Sequence, residues 1–217
     1  RHVERVRRRW NPDRTWGARA AGRWVATLAT QPRTLTVPAP DGSTADLAAD
    51  ALTAVTVNAT HRRRGLLTGM ITSSLSAGHQ RGDAVRILIA AEWPIYGRFG
   101  YAPATRDATY SYFPRHLTGK LTASGGGSIR QVDPDEAARL GPRAFGRARR
   151  RRPGQVDRPA AWWWAEHVNP DEATAVREGR TPNYVVREDA SGIVDGFLGW
   201  RASRDFDLAG NLAELEV

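Results

Sequence analysis

The polar and apolar positions of the first hundred residues predict strands, one amphipathic helix and a further strand. Residues 24–37 alternate Thr, Val, Leu and Ala, side chains that suit a pleated surface, and form a long β candidate. The spacing Trp16-Gly17 to Ala21-Gly22 suggests a tight hairpin before it, and Pro38 with Asp41-Gly42 marks the turn after it. Residues 52–57 read as a strand. Leu66, Leu67, Met70, Ile71 and Leu75 then fall on one helical face, with Thr68, Thr72, Ser73 and Ser76 elsewhere. Residues 78–82 end that helix. Residues 85–91 are mostly apolar and predict a buried strand. A short helix at 94–99 and a strand at 108–113 complete this half, and residues 3–10 read as the end of a basic helix.

The Gly/Ser run at 122–128 interrupts this order. Such runs are flexible and build no core. The expected division is residues 1–121, a linker at 122–128 and a second unit at 129–217. Asp133-Pro134-Asp135-Glu136 starts a capped helix. Trp162 to Trp164 form an aromatic cluster suited to a core or a subunit interface. Residues 184–200 read as a hairpin turning near Ser191-Gly192. Both ends of the chain fall within regular structure, so a longer protein is expected to continue past them.

Composition narrows the chemistry. There is no Cys, hence no disulfide framework, thiol nucleophile or Cys-ligated metal, and a reducing, cytoplasmic setting is expected. The five His are scattered, and no metal site is expected. No apolar run reaches the ~18–20 residues of a membrane span, and the basic start does not read as a signal peptide. The net charge is +9, with Lys120 the only lysine. A GC-rich coding bias accounts for such an arginine excess, and an anionic partner is its functional counterpart. The run at 147–152, Arg-Ala-Arg-Arg-Arg-Arg, is the feature most like a nucleic-acid site. Six residues without interleaved aromatics read better as a solvated helix end.

The densest chemistry lies at 55–68. A β-rich run ends in the turn His61-Arg62-Arg63-Arg64-Gly65, which opens the amphipathic helix. A helix N-terminus brings unpaired N–H groups and a positive dipole end. The glycine permits close backbone approach, and the arginines add forked donors for phosphate oxygens. A basic turn before a helix is common by itself. The order strand, turn, helix, strand makes it a candidate pyrophosphate cradle.

This stretch resembles the cofactor motif of the GNAT N-acetyltransferase superfamily. Residues 91–105, Ala-Glu-Trp-Pro-Ile-Tyr-Gly-Arg-Phe-Gly-Tyr-Ala-Pro-Ala-Thr, resemble the Eis (enhanced intracellular survival) acetyltransferases of actinobacteria. Residues 152–158 (Arg-Pro-Gly-Gln-Val-Asp-Arg), the Trp cluster and the Gly192/Gly196 hairpin are similar to that family's central domain. The resemblance implies an α+β fold of tandem GNAT-like units with mixed, largely antiparallel sheets. Only the first unit would bind acetyl-CoA, and the second would be partial. It implies that Val55, Thr56 and Val57 pair with the pantetheine arm. Arg63, Arg64, Gly65, Leu66, Leu67 and Thr68 would hold the pyrophosphate, and Ala91 and Glu92 would lie along the thiol end. Tyr96 would be the general acid that protonates the departing thiolate, with Tyr101 as fallback. A phenol pKa near ~10 and a thiol pKa near ~8.5 allow that transfer. Tyr96 also has a packing role open to it, and Glu92 could instead pair with Arg98.

The implied reaction is direct acetyl transfer to a primary amine, such as an aminoglycoside, a polyamine or a lysine side chain. The implied assembly is a homohexamer, with no membrane or nucleic-acid partner. The family's general base is its own C-terminal carboxylate, in a third domain, a role not assumed for Val217. The family's first strand and helix are also expected to be absent. Two rivals stay open: an inactive acetyl-CoA-binding sensor, and an arginine-rich nucleic-acid module with steep salt dependence.

Overall fold

The computed structural model describes residues 10–105, 126–163, 183–202 and 215–216. The chain divides into two compact units, Arg1–Arg106 with Arg152–Asp157, and Asp107–Arg151 with Arg158–Val217. Each combines a four-stranded sheet with helix, so the α+β class is as expected. The expected basic helix at 3–9 and strand at 108–113 lie outside the described residues.

In the first unit, β1 (Thr15–Ala20), β2 (Arg23–Pro38), β3 (Thr44–Val57) and β4 (Val85–Ile87) form one sheet in that order. β1, β2 and β3 are antiparallel neighbours, and β4 joins β3 in parallel. The parallel step needs a crossover, supplied by helix α1 (Leu66–Gln80). Ala21 and Gly22 turn the first hairpin at φ 47° and 76°, the left-handed pair that a tight two-residue turn demands. The predicted apolar face of α1 packs on the sheet. Met70 and Ile71 join Ala26, Leu28 and Leu52 in a buried cluster, with Leu66, Leu67 and Leu75 against it. Leu28 and Ile71 are wholly buried, which stabilises by about 1.5–3 kcal/mol each.

β2 outruns β1, whose pairing begins at Thr15↔Ala29. The exposed edge is taken by residues from far along the chain. Leu35 bridges Val156 in antiparallel fashion. Thr36 N–H donates to Gln155 O (2.9 Å), Gly154 N–H to Thr36 O (2.8 Å) and Asp157 N–H to Thr34 O (2.9 Å). Asp157 Oδ1 accepts from Thr34 N–H at 2.8 Å. The motif at 152–158, assigned from the sequence to the second unit, is therefore largely a strap on the first. The N–H groups of Thr34 and Thr36 face this edge. Pro32, of the same parity, puts its missing donor in the gap between β1 and the strap, where no partner goes unserved.

The second unit orders β5 (Gly127–Val132), β6 (Asn183–Asp189), β7 (Val194–Ala202) and β8 (Leu215–Glu216) as antiparallel neighbours. Gly127 and Ser128, expected in the linker, begin β5 because their backbones pair with Asp189 and Glu188. Helix α2 (Pro134–Arg149) starts as predicted: Asp133 Oδ1 accepts the Glu136 N–H at 2.7 Å. It packs through Ala137 and Leu140 on Val132, Tyr184, Val186 and Phe197. Trp163, in the short helix α3 (Ala160–Trp163), is 2% exposed and makes edge contacts with Phe145 and Phe197. It is core, one of the two roles expected of its cluster. In the arginine run, Arg149 is buried and Arg147 donates to Val194 O, so the run is not five free guanidinium groups. Among the described residues no helix is long and apolar enough to cross a membrane, and no cluster could hold a metal ion.

Candidate functional site

The site is built on an interruption of the first sheet. Thr27 pairs with Thr56, but Ala29 pairs with Thr53. Ala54 and Val55 thus oppose the single residue Leu28, which is a β-bulge. Ala54 carries φ 51°, a left-handed conformation that costs a non-glycine residue roughly 1–3 kcal/mol. The inward side chains are Leu52, Val55 and Val57, so the alternation slips by one residue at the bulge.

β3 and β4 pair only at Ala49↔Val85, Asp50↔Arg86 and Ala51↔Ile87. Beyond Ala51, β2 is the only sheet neighbour of β3 among the described residues. The predicted strand at 85–91 is therefore corrected to Val85–Ile87. The bulge ends the parallel ladder and leaves the following apolar residues without a partner strand, and Ile89 is fully exposed at 101%. The strand edge at 55–57 opens into this parting.

The turn after β3 is held by Asn58, whose Oδ1 accepts from Thr60 N–H (3.2 Å) and Thr60 Oγ1–H (3.0 Å). Arg63 takes φ 59° and Gly65 φ 75°. Gly65 is the N-cap of α1 and offers no side-chain cap, so the N–H groups of Leu66, Leu67 and Thr68 face outward without one. A Cβ built on Gly65 meets nothing within 4 Å. Backbone conformation thus requires the glycine, and the space before the helix is open. Arg62, Arg63 and Arg64 are exposed around it. Leu66 and Leu67 turn their side chains into the core, so they can serve an anion only through backbone N–H groups.

Tyr96 stands between two turns of 3-10 helix, Trp93–Ile95 and Gly97–Phe99. It packs on the same cluster as Val55, Val57, Leu66 and Leu67, and its ring meets Tyr101 edge-on at 5.9 Å. Desolvation, then the charge of Glu92, pushes its phenol above the usual value. The hydroxyl therefore stays protonated at neutral pH. Tyr101 Oη is buried with no hydrogen bond of good geometry, although Arg86 lies near enough to act on it. Burial dominates there and raises the Tyr101 phenol. Ala91 and Glu92 are exposed and precede the first of these turns, outside any strand. Glu92 makes no ion pair with Arg98, which lies instead over the Phe99 ring at 4.9 Å.

Sequence reading missed a buried charge network in the first unit. Asp50 is wholly buried and meets Arg14 (2.7 Å), Arg86 (2.5 Å) and Arg81 (3.4 Å). Arg81 also bridges to Asp83 at 3.0 Å, and Arg86 donates to Ser74 Oγ at 2.8 Å. This network ties β3 and β4 to α1 within their three-pair ladder. Nothing local predicts its centre, since Asp50 lies 36 residues from Arg14 and Arg86 and 31 from Arg81. The bulge did leave a trace, in the three-then-two spacing of Leu52, Val55 and Val57.

The first unit thus presents a split sheet whose open edge runs into an uncapped helix N-terminus. Residues 1–104 match the acetyltransferase (GNAT) domain model, so the chain carries a GNAT domain and resembles the Eis acetyltransferases. An uncharacterized N-acetyltransferase of Streptomyces griseus is 41% identical over 190 residues, 86% of this chain and 44% of that protein. N-acetyltransferase Eis of Mycobacterium tuberculosis is 37% identical over 118 residues, 52% of this chain and 29% of that protein. Eis1 of Mycobacterium abscessus superposes with a TM-score of 0.70 at 30% identity, covering 91% of this chain and 46% of that structure. The chain spans less than half the length of these relatives.

Proposed function

We propose that this chain is the donor-binding part of an acetyl-CoA-dependent N-acetyltransferase of the Eis type. The observation that carries this reading is the parting of β3 from β4 at the bulge, directly before the open helix N-terminus. The free edge at Val55, Thr56 and Val57 offers a ladder to the amide-bearing pantetheine arm. Arg63, Arg64 and the N–H groups of Gly65, Leu66, Leu67 and Thr68 suit a pyrophosphate. The open space in front of Gly65 leaves room for that group, and Ala91 and Glu92 are proposed to lie along the thiol end.

Bound acetyl-CoA would supply a thioester whose acyl carbon is open to attack by the neutral form of a primary amine. The C–N bond forms, the C–S bond breaks with the thiolate leaving, and the proton lost by nitrogen passes to solvent, from which the Tyr96 phenol is restored. Tyr96 holds the proton that this thiolate needs. Its raised phenol pKa keeps the proton in place until sulfur carries charge. The protein's larger contribution is orientation of the two reactants. The acceptor is a cationic amine of the aminoglycoside, polyamine or lysine type. The working protein is a cytoplasmic homo-oligomer, a hexamer by likeness to Eis.

Calorimetric titration with acetyl-CoA tests the site. Micromolar affinity is expected, with a loss of more than about tenfold in Gly65→Glu, which sets a carboxylate against phosphate and strains a left-handed position. A folded chain indifferent to acetyl-CoA would sink the reading. Binding without transfer to any amine would favour a sensor over an enzyme.

A further inference from the structure

We infer that Thr27 is a positioning residue: its hydroxyl fixes the bulge so that the Val55 N–H points into the cleft between β3 and β4. Thr27 Oγ1 donates to Ala54 O at 3.1 Å. It also lies 2.8 Å from Thr56 Oγ1. Thr27 has one hydroxyl hydrogen, and a carbonyl only accepts. The directions are therefore set: Thr56 O–H donates to Thr27, and Thr27 O–H donates to Ala54. One hydroxyl thus spans both ends of the bulge, and the two bonds polarise each other.

The consequence follows from the peptide plane. In a trans peptide the C=O and the next N–H point in opposite directions, and among the described residues no peptide bond is cis. Holding the Ala54 carbonyl toward β2 aims the Val55 N–H away from it, toward the side where β4 has ended. The bulge needs such a clamp because Ala54 sits in a left-handed conformation that alanine does not favour. Without the hydroxyl the Ala54–Val55 plane is free to rotate, and the first donor of the open edge is lost. The inference rests on the proposed donor site.

The test compares the whole chain with Thr27→Val, which keeps the shape and removes the hydroxyl, and Thr27→Ser, which restores it. Two readouts are taken well below the melting temperature: amide hydrogen exchange at Val55 without ligand, and coenzyme A affinity by calorimetry. Thr27→Val is expected to speed exchange at Val55 and to weaken coenzyme A by roughly 3- to 10-fold, with Thr27→Ser near wild type in both. Unchanged exchange and affinity in Thr27→Val would overturn the inference while leaving the donor site standing. Loss in Thr27→Ser as large as in Thr27→Val would overturn it too, because the hydroxyl would not be the cause. A wild-type chain that binds no coenzyme A would overturn the donor site and, with it, this role for Thr27.

Discussion

The two sheets of this chain use similar parts to opposite ends. In the second unit β5, β6 and β7 pair over their lengths, and the core is closed by aromatic rings: Trp163 on Phe145 and Phe197, and Tyr184 stacked on Phe197 at 5.7 Å. In the first unit β3 and β4 share only three residue pairs, and a buried charge network is centred on the middle one, Asp50↔Arg86. A continuous ladder leaves no backbone donors for a ligand, whereas an interrupted one does. The donor site is proposed for the unit that gives up sheet pairing, and the charge network holds the parted strands in place.

This contrast can be broken from either side. The largest stability effects are expected from Trp163→Ala and Asp50→Ala, each about 3–5 kcal/mol by loss of core volume or of a buried charge's partner. Denaturant unfolding followed by hydrogen exchange should show the first loosening the second unit and the second loosening the first. Loss of both units in either variant would mean that they do not fold separately. Tyr96→Phe should lower turnover by about a hundredfold or more while sparing acetyl-CoA affinity. Unchanged turnover would remove Tyr96 from its role. The sign of its pH dependence follows from the raised phenol. The acid form is the working form, so the Tyr96-dependent rate is lost only as pH rises above the ordinary phenol value of 10.0. An alkaline limb below that value would point to another group.

Smaller effects sharpen the comparison. Ala54→Val should destabilise the first unit by roughly 1–3 kcal/mol, because a β-branched residue suits the left-handed bulge less than alanine does. Ala54→Gly should raise its melting temperature or leave it unchanged. The smallest effect is common to both units. Ser43 and Ser191 hydroxyls and N–H groups bond to Asp41 and Asp189, which hold both carboxyls below the usual 3.8. That stability is present above the unfolded value and is lost as pH falls through the depressed folded values. NMR titration of the Ser43 and Ser191 amides should show both turns loosening together below pH 3.8. Loosening of one turn alone would separate them.

What the sequence determined by itself was local. The α1 face, the Asp133 cap, the turns at Ala21-Gly22 and Ser191-Gly192, and the basic loop before Gly65 were all readable. Each depends on residues a few positions apart, where periodicity and φ preference act directly. The tertiary structure decided the rest. Residues 85–91 have the composition of a buried strand, yet only three pair, because a bulge on another strand withdraws the partner. Residues 152–157 joined the first sheet because β1 is too short to cover β2, a fact written nowhere near residue 152. Asp50 is buried only because three arginines converge on it from separate elements. The hydroxyl of Thr27 reaches Ala54 only once the strands are in register. Short-range preferences are fixed by chemistry along the chain, while pairing, burial and the aim of a single N–H depend on which distant residues arrive beside them.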